Sequence, residues 1–269
     1  MIKNVLTIAG TDPSGGAGIQ ADIKTFSALG CYAMSVITSV VAQNTQGVIS
    51  YKTMDPELIA DQMDAVFEDI HVDAVKIGML ANELIVGVVA QKLKQYAVPL
   101  CVLDPVMVAK SGDSLINDDA IQAIKEQIVP HVTMVTPNLP EARVLLGKTS
   151  PISLHQMKES AEELLKLGPK WVLLKGGHLS GSVCLDVLTD AKHYYEFSAE
   201  RVVTKNDHGT GCTLSSAITA LLPNHSMYDS VLEAKRYLTE ALKASDQLTV
   251  GTGHGPLNHF YQFWQSKHS

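Results

Sequence analysis

The sequence predicts an α/β fold with a mainly parallel central sheet, helices on its faces and an antiparallel hairpin at one edge. Short apolar runs rich in β-branched residues alternate with amphipathic stretches along most of the chain. Several of these runs are apolar on both faces, as buried parallel strands require. One late segment instead places two strand-like runs around a short turn, which is typical of an antiparallel hairpin.

The elements follow one another in regular alternation. The first strand, Val5–Ala9, leads into a helix over Ile19–Leu29, where Ile19, Ile23 and Phe26 share one face. The further predicted strands are Tyr32–Val41, Ala74–Ile77, Leu100–Leu103, Met134–Thr136 and Trp171–Leu174, and the further helices are Pro56–Asp69, Asn82–Tyr96, Asp118–Ile128, Leu139–Leu146 and Leu154–Leu167. The hairpin covers Val183–Phe197 with its turn at Thr189–Lys192, and helices over Thr213–Leu222 and Tyr228–Leu248 end the pattern.

Composition limits the class of protein. The chain has 269 residues and shows no repeat or linker, so we expect a single domain over residues 1–269. A net charge of −7 provides no basic surface for tracking phosphates, which argues against a nucleic-acid partner. Hydrophobic residues make up 46% of the chain, enough for a large core.

Neither a membrane anchor nor a metal cluster is indicated. No apolar run approaches the roughly 18 residues of a membrane span, and the N-terminus lacks a signal-peptide layout. We therefore expect no membrane partner and a cytoplasmic location. The four cysteines are scattered without a CxxC pair, so the sequence predicts reduced thiols and no structural zinc.

In an open parallel sheet, ligands bind beyond the carboxyl ends of the strands, so residues directly after strands are the first candidates. Gly10–Gly18 is a glycine-rich loop of this kind, whose amides could approach a ligand. It matches neither the phosphate-loop nor the dinucleotide fingerprint. A sharp strand-to-helix turn explains it equally well.

Two further strand ends offer uncharged groups. Gln43 both donates and accepts hydrogen bonds, which suits the edge of a neutral heterocycle, although a loop carboxamide more often caps backbone groups. Met79 could pack on a ring as a polarizable wall, or belong to the ordinary core.

Oxygen ligands follow the next strands. Asp104, Asn138 and Glu141 lie at strand ends, where they suit Mg²⁺ carried by a nucleotide. Helix capping is the alternative for two of them, since Asn138 and Glu141 have the spacing of a capping box.

The segment Asn206–Thr213 has the most specific chemistry. Gly209 and Gly211 precede a helix of small residues, so backbone amides at its positive end form an anion site. Cys212 lies in the first turn, where thiol pKa values tend to fall, although a tight turn with a small buried cysteine is the plainer explanation. Lys175 could meet a polyphosphate or be a solvated lysine.

With these motifs in order, the chain resembles the hydroxymethylpyrimidine/phosphomethylpyrimidine kinases of thiamine biosynthesis, in the ribokinase-like superfamily. The resemblance covers essentially the whole chain. Its segments are Leu6–Gly18, Val41–Thr45, Lys76–Met79, Asp104–Met107, Thr136–Ala142, Lys175–His178 and His208–Ser216.

The resemblance implies a three-layer α/β/α kinase that phosphorylates 4-amino-5-hydroxymethyl-2-methylpyrimidine and then its monophosphate. It implies ATP and Mg²⁺ as cofactors and a homodimer. In this interpretation Gln43 reads the aminopyrimidine edge and Met79 and Val106 wall the ring. Asp22 and the Gly10 backbone line the same pocket.

The same resemblance places the transferring phosphoryl group on the amides of Gly209, Thr210, Gly211 and Cys212. Lys175 would approach the nucleotide phosphates, and Asp104, Asn138 and Glu141 would support Mg²⁺. Sugar-kinase relatives have an aspartate as general base where this chain has Cys212, which leaves the proton acceptor open.

Three alternatives stay open at this point. A pyridoxal kinase would share the phosphate-handling residues, but members of that group tend to carry a second cysteine where this chain has Lys110. A pyrimidine-binding protein without activity would be expected to lack the anion loop or Asp104. A dinucleotide-dependent oxidoreductase fits the α/β pattern but not the fingerprint.

Overall fold

A single nine-stranded sheet forms the centre of the molecule. The computed structural model describes residues 1–107 and 116–264. Its strands are β1 (Asn4–Gly10), β2 (Tyr32–Asn44), β3 (Gly47–Thr53), β4 (Ala74–Ile77), β5 (Cys101–Leu103), β6 (Met134–Val135), β7 (Trp171–Lys175), β8 (Val183–Thr189) and β9 (Tyr194–Glu200).

The sheet is parallel in its centre and antiparallel at both edges. The strand order is β3-β2-β1-β4-β5-β6-β7-β8-β9. The strands from β2 to β7 in this order pair in parallel, whereas β3, β8 and β9 pair antiparallel with their neighbours. The carboxyl ends of the parallel strands therefore meet at one edge of the sheet.

Most helices begin at residues that suit their N-termini. Asp55, Asn82, Asn117 and Ser226 each accept a hydrogen bond from a backbone amide in the first turn. The helices are α1 (Gly18–Ala28), α2 (Pro56–Asp69), α3 (Glu83–Gln95), α4 (Asp118–Ala123), α5 (Leu139–Leu145), α6 (Met157–Leu165), α7 (Thr210–Leu221) and α8 (Met227–Lys243).

The helices form two layers, one on each side of the sheet. Buried residues of α2 to α6 pack with one face of the strands in a single apolar cluster. On the other face, α7 and α8 pack against Val102, Met134 and Leu173, and α1 contributes Phe26 beside Val5. Alternate residues of one strand therefore serve different layers, as the pleat requires.

The structure confirms the α/β prediction, including the antiparallel hairpin at one edge, where Thr189 of β8 pairs with Tyr194 of β9. Strand β3 was not predicted. Its residues from Ile49 to Thr53 are exposed on both faces, so the segment carries no apolar alternation.

Several helix ends differ from the predicted ones, and the helix expected over Leu154–Leu167 forms an α-helix only over Met157–Leu165. The helix expected over Asp118–Ile128 ends at Ala123 and continues as a π-helical turn. Helix α7 begins at Thr210 rather than Thr213, and α8 ends at Lys243 rather than Leu248. In the described part of the chain, no helix combines the length and apolarity needed to cross a membrane.

Candidate active site

A cavity of about 490 Å³ opens at the carboxyl ends of the parallel strands, within the usual size range of small-molecule sites. It collects residues from loops that are far apart in the sequence. The lining includes Gly10, Val41, Gln43, Lys76, Met79, Asp104, Val106, Asn138, Glu141, Lys175, His208, Gly209, Thr210, Gly211 and Cys212. Every predicted site residue except Asp22 therefore lies on this cavity.

The loop before α7 is shaped as an anion site. Gly209 has φ +83°, and a Cβ there would lie 1.8 Å from the carbonyl oxygen of Gly16, so only glycine fits. Among the described residues, no side chain caps this helix. Thr210, Gly211 and Cys212 line the cavity. As the first residues of the helix, their amides have no acceptor within it and can donate to a bound anion.

Cys212 differs from the sequence expectation in its acidity. Burial raises the pKa of the thiol to about 11, although the Lys76 cation and a hydrogen bond from the Gly18 amide lower it. Asp22 and Asp104 raise it further by repulsion. The expectation of a lowered pKa at a helix N-terminus is therefore wrong, because burial outweighs the effects of the Lys76 cation and the Gly18 amide, and the thiol is protonated at neutral pH.

Lys175 and Asp104 form an ion pair against the anion loop. Lys175 Nζ lies 2.9 Å from Asp104 Oδ1, and the Ser215 hydroxyl donates to Oδ2 over 3.2 Å. A Cβ on Gly211 would lie 3.5 Å from both Lys175 Nζ and Asp104 Oδ2, so the pair lies beside the anion loop. Burial lowers the pKa of Lys175, but the attraction of Asp104 and Glu141 overcomes it and keeps the lysine charged.

Asn138 and Glu141 form the capping box at the start of α5 while lining the cavity. Asn138 Oδ1 accepts from the Glu141 amide over 2.8 Å, and Glu141 Oε2 accepts from the Asn138 amide over 2.7 Å. Burial raises the pKa of Glu141 to about 7; Lys175 opposes this shift and Asp104 adds to it. Capping and ligand contact are therefore compatible here, since one carboxylate oxygen is left for the cavity.

The oxygen set fits a Mg²⁺ ion that is shared with a nucleotide. The hydrogen bonds to Asp104 and Glu141 leave lone pairs on both carboxylates. Across residues 1–107 and 116–264, no group of three or more His, Cys, Asp or Glu side chains is placed to hold a metal by itself. A hard cation bound mostly by phosphates and water needs only this partial set.

Another part of the cavity lining is uncharged and suits a ring. Val41, Met79 and Val106 supply its apolar surface, and Gln43 adds a carboxamide. A Cβ on Gly10 would lie 3.3 Å from Met79 Sδ, so the missing side chain leaves room for the methionine. The wall and the anion loop therefore lie in one cavity.

Asp22 corrects the sequence prediction. It is fully buried and is not part of the cavity lining. Its carboxylate receives both the Lys76 ammonium, at 2.9 Å, and the hydroxyls of Thr7 and Ser216, each at 2.6 Å. A short polar side chain on the buried face of α1 is satisfied inside the protein rather than by a ligand.

Sequence reasoning missed Lys76 and the pair formed by Asp12 and His208. Lys76 lines the cavity. A lysine in the middle of the otherwise apolar strand β4 was the feature of the sequence that could have indicated it. His208 Nε2 lies 2.8 Å from Asp12 Oδ2, which joins the glycine-rich loop to the anion loop. Lys110, the position that separates the two vitamin-kinase alternatives, lies outside the described residues.

The topology defines a ribokinase-like protein, and its cavity is lined by both an uncharged apolar wall and a glycine-rich helix N-terminus. The profile of the phosphomethylpyrimidine kinase family matches residues 12–258. The hydroxymethylpyrimidine/phosphomethylpyrimidine kinase of Escherichia coli K12 is 50% identical over 97% of this chain and 98% of its own length. The chain belongs to the phosphomethylpyrimidine kinase family.

Solved structures agree with this assignment. The crystal structure of phosphomethylpyrimidine kinase from Clostridium difficile 630 matches with a TM-score of 0.80 and 43% identity, over 89% of this chain and 99% of that one. The ADP complex of Bacillus subtilis pyridoxal kinase matches with a TM-score of 0.88 and 34% identity, over 96% and 98% of the two chains.

Proposed function

We propose that this protein transfers a phosphoryl group from ATP to 4-amino-5-hydroxymethyl-2-methylpyrimidine, and then a second one to the resulting monophosphate, in thiamine biosynthesis. The observation that carries the proposal is that one cavity is lined both by the uncharged wall with Gln43 and by the residues of the anion loop. The names of its relatives, which include both kinase activities, support the same substrate pair. The partners are therefore small molecules.

The acceptor ring binds against Met79, Val41 and Val106, with Gln43 at its polar edge. A carboxamide matches an aminopyrimidine because it offers an acceptor to the amino group and a donor to the adjacent ring nitrogen. Gln43 also lies near the Asp12 carboxylate and helps to lower the pKa of that group.

Phosphoryl transfer relies on prearranged charge. The amides of Thr210, Gly211 and Cys212 point to where negative charge spreads over the transferring group, and the α7 dipole adds to their effect. Lys175 supplies a full positive charge against the same loop. In a loose transition state such positioning provides most of the acceleration, so a protonated Cys212 acts as a donor rather than as the base.

Lys175 and Asn138 lie on the nucleotide side of this arrangement, with Asp104 and Glu141 as the carboxylates for Mg²⁺. The metal ion would neutralise charge on the phosphates when bound. Asp104 and Glu141 would hold it, directly or through water. This division leaves the ring wall free of charged ligands.

Pyridoxal kinase activity is the second candidate, favoured by the TM-score of 0.88 to the Bacillus subtilis enzyme. The two activities share the anion loop and differ at the ring. The deciding experiment incubates the purified protein with ATP, Mg²⁺ and either the pyrimidine alcohol or pyridoxal, and identifies products by mass spectrometry. We expect the pyrimidine monophosphate followed by the diphosphate. A reaction that stops at the monophosphate, or a clear preference for pyridoxal, would contradict the proposal.

A homodimer is supported by the exposed edge of the sheet. Ile49 on β3 is 75% exposed and Val40 on β2 is 51% exposed. An open edge strand with apolar side chains is suited to pairing with a second copy. Light scattering tests this: we expect a dimer mass for the wild type and a monomer mass for Ile49→Lys. A monomer mass for the wild type would contradict the proposal. The cytoplasmic location stays a prediction.

A further inference from the structure

A glycine-rich segment near the C-terminus connects two walls of the cavity. Residues 251–255, which we call the glycine strap, have the sequence Gly-Thr-Gly-His-Gly. On one side the strap contacts the loop after β2. The Gly253 amide donates to Thr45 Oγ1 over 3.1 Å, and the His254 amide donates to the Thr45 carbonyl over 2.8 Å.

On its other side the strap contacts the loop before α7. The His208 amide donates to the Gly255 carbonyl over 3.1 Å, and His208 pairs with Pro256 in a short parallel bridge. The His254 ring lies 3.0 Å from the Asp207 carboxylate. The strap therefore bonds to both loops through main-chain groups.

The alternating glycines are required by close packing. A Cβ on Gly251 would lie 2.2 Å from Thr45 Oγ1, and one on Gly253 would lie 2.1 Å from the Thr45 carbonyl oxygen. A Cβ on Gly255 would lie 2.1 Å from Asn206 Oδ1. Each of the three glycines is thus pressed against one of the two loops, and a side chain at any of them would push that loop away.

The two loops carry the two halves of the proposed chemistry. Thr45, which is only 8% exposed, follows Gln43 by two residues. His208 directly precedes Gly209, where the anion loop begins. The strap therefore links the segment that follows the carboxamide to the segment that precedes the anion-loop amides.

We propose that Thr45 and the glycine strap are positioning elements that align the acceptor with the transferring phosphoryl group, an inference that rests on the proposed kinase function. Neither needs to touch the substrate. Displacement of a reacting group by about 1 Å can cost on the order of a hundredfold in rate, so the tie acts on turnover through geometry. The nucleotide side, held by Lys175 and Asn138, contacts neither Thr45 nor the strap through the bonds described above.

The test uses Thr45→Val, which keeps the shape but removes the acceptor of the Gly253 amide, and Thr45→Ser, which keeps the hydroxyl. Both are compared with the wild type at a temperature far below their melting points. We expect Thr45→Val to lower kcat/KM for the alcohol about tenfold, with the KM for ATP changed less than about twofold, because only the acceptor side shifts. Thr45→Ser should restore most of the activity.

A second pair of variants tests the strap itself. Gly253→Ala should cost more than Thr45→Val, because the methyl group meets backbone rather than a movable side chain. Gly87→Ala on α3 is the matched control, since its Cβ would make only an ordinary contact 3.8 Å from Gln127 Oε1. If Gly253→Ala does not fold, the two Thr45 variants still decide.

The outcomes separate this inference from the function on which it rests. The assay uses whichever alcohol the wild type phosphorylates, pyrimidine or pyridoxal, so a different substrate changes the proposed function without affecting the test. Calorimetric affinity for that alcohol provides a readout independent of turnover. Equal kinetic constants for wild type and Thr45→Val would overturn the positioning role. So would a rise in the KM for ATP as large as that for the alcohol, in step with a fall in melting temperature.

Discussion

Lys76 and Asp22 form an ion pair in which both side chains are fully buried, 2.9 Å apart. Burial lowers the pKa of Lys76, but the attraction of Asp22, Cys212 and Asp104 raises it well above its usual range. Removing two charges from water is costly, and a matched pair repays that cost only with good geometry. The hydroxyls of Thr7 and Ser216 complete that geometry on the Asp22 side.

Lys76→Met should therefore destabilise the protein strongly. It leaves the Asp22 carboxylate buried without a cation, which costs about 3–5 kcal/mol in the free energy of unfolding. The double variant Lys76→Met with Asp22→Asn removes the remaining charge and should recover much of the loss. Urea unfolding measures both. Lys92→Met is the control, since its partly exposed pair with Asp64 should contribute less than about 1 kcal/mol. A single variant as stable as the wild type would contradict the expectation.

Gln43 is the residue whose removal should act mainly on the use of the acceptor. Gln43→Ala leaves the polar edge of the ring without partners, a loss of about 1–3 kcal/mol that corresponds to roughly 5- to 150-fold in kcat/KM for the pyrimidine alcohol. The KM for ATP should stay near the wild-type value, because Gln43 lies on the ring wall. Steady-state kinetics with each substrate varied in turn measures the split. Unchanged constants for the alcohol would exclude Gln43 as the ring reader.

At the scale of elements, the N-terminus of α7 concentrates the chemistry. Its two glycines are required for different structural reasons. Gly209 needs its positive φ and its lack of a side chain to pass Gly16, whereas Gly211 has ordinary backbone geometry and lies against Lys175 and Asp104. A side chain at Gly211 therefore acts on the ion pair and the amides together.

Gly211→Val should lower kcat more than Cys212→Ala does. The valine branches press on the Lys175–Asp104 pair and disturb the amide donors, whose loss costs about 10²–10³ in kcat in comparable sites. Alanine at Cys212 keeps its backbone amide, so a loss below about tenfold is expected. Kinetics on variants with native circular dichroism decides the order, and a near-normal Gly211→Val enzyme would defeat the anion-site assignment.

The pH profile provides the companion measurement. If Cys212 acts as a donor with a pKa of about 11, it stays protonated and kcat/KM should not rise with thiol ionisation below pH 9. A thiolate base would instead make the rate rise about tenfold per pH unit through this range. A rise that disappears in Cys212→Ala would make the cysteine the general base.

The same elements show what a sequence can and cannot predict. Strand β4 was predicted from a short, mainly apolar run whose four residues the structure buries, and the capping box of Asn138 and Glu141 from their local spacing. Strand β3 has no buried face, so no periodicity marks it. The raised pKa of Cys212 and the burial of Asp22 depend on residues from distant strands and helices. Such tertiary effects have no local signal.

The whole molecule converges on the cavity through long-range contacts. Asp12 accepts amides from its own loop, at Gly16 and Ala17, and also binds His208. The glycine strap reaches His208 from the C-terminal end of the chain. Segments from both ends of the sequence thus meet at one site. Because the Asp12 carboxylate bonds to two of these segments, its ionisation should affect both the site and the stability of the fold.

Asp12 should make the fold sensitive to acid. Burial raises its pKa, but the hydrogen bonds from His208, Ser14 and Gln43 hold it well below the usual 3.8. A carboxyl group with a lowered pKa in the folded state contributes stability above its unfolded pKa, and this contribution is lost as the pH falls from about 5 toward the folded value. The slope from one such group reaches at most about 1.4 kcal/mol per pH unit.

Asp12→Asn should therefore be less stable than the wild type at pH 7, and the two stabilities should converge as the pH falls from 5 to 3. The reason is that the Asp12 carboxyl binds a proton in the unfolded wild type over this range but not in the folded one, so the wild type loses part of the stability that asparagine lacks at every pH. Urea midpoints at pH 7, 5, 4 and 3 measure the difference. Asp61→Asn, at an exposed position on α2, should run parallel to the wild type throughout. A constant gap between Asp12→Asn and the wild type would show that the stability depends on the shape of the loop and not on the ionised Asp12 carboxylate.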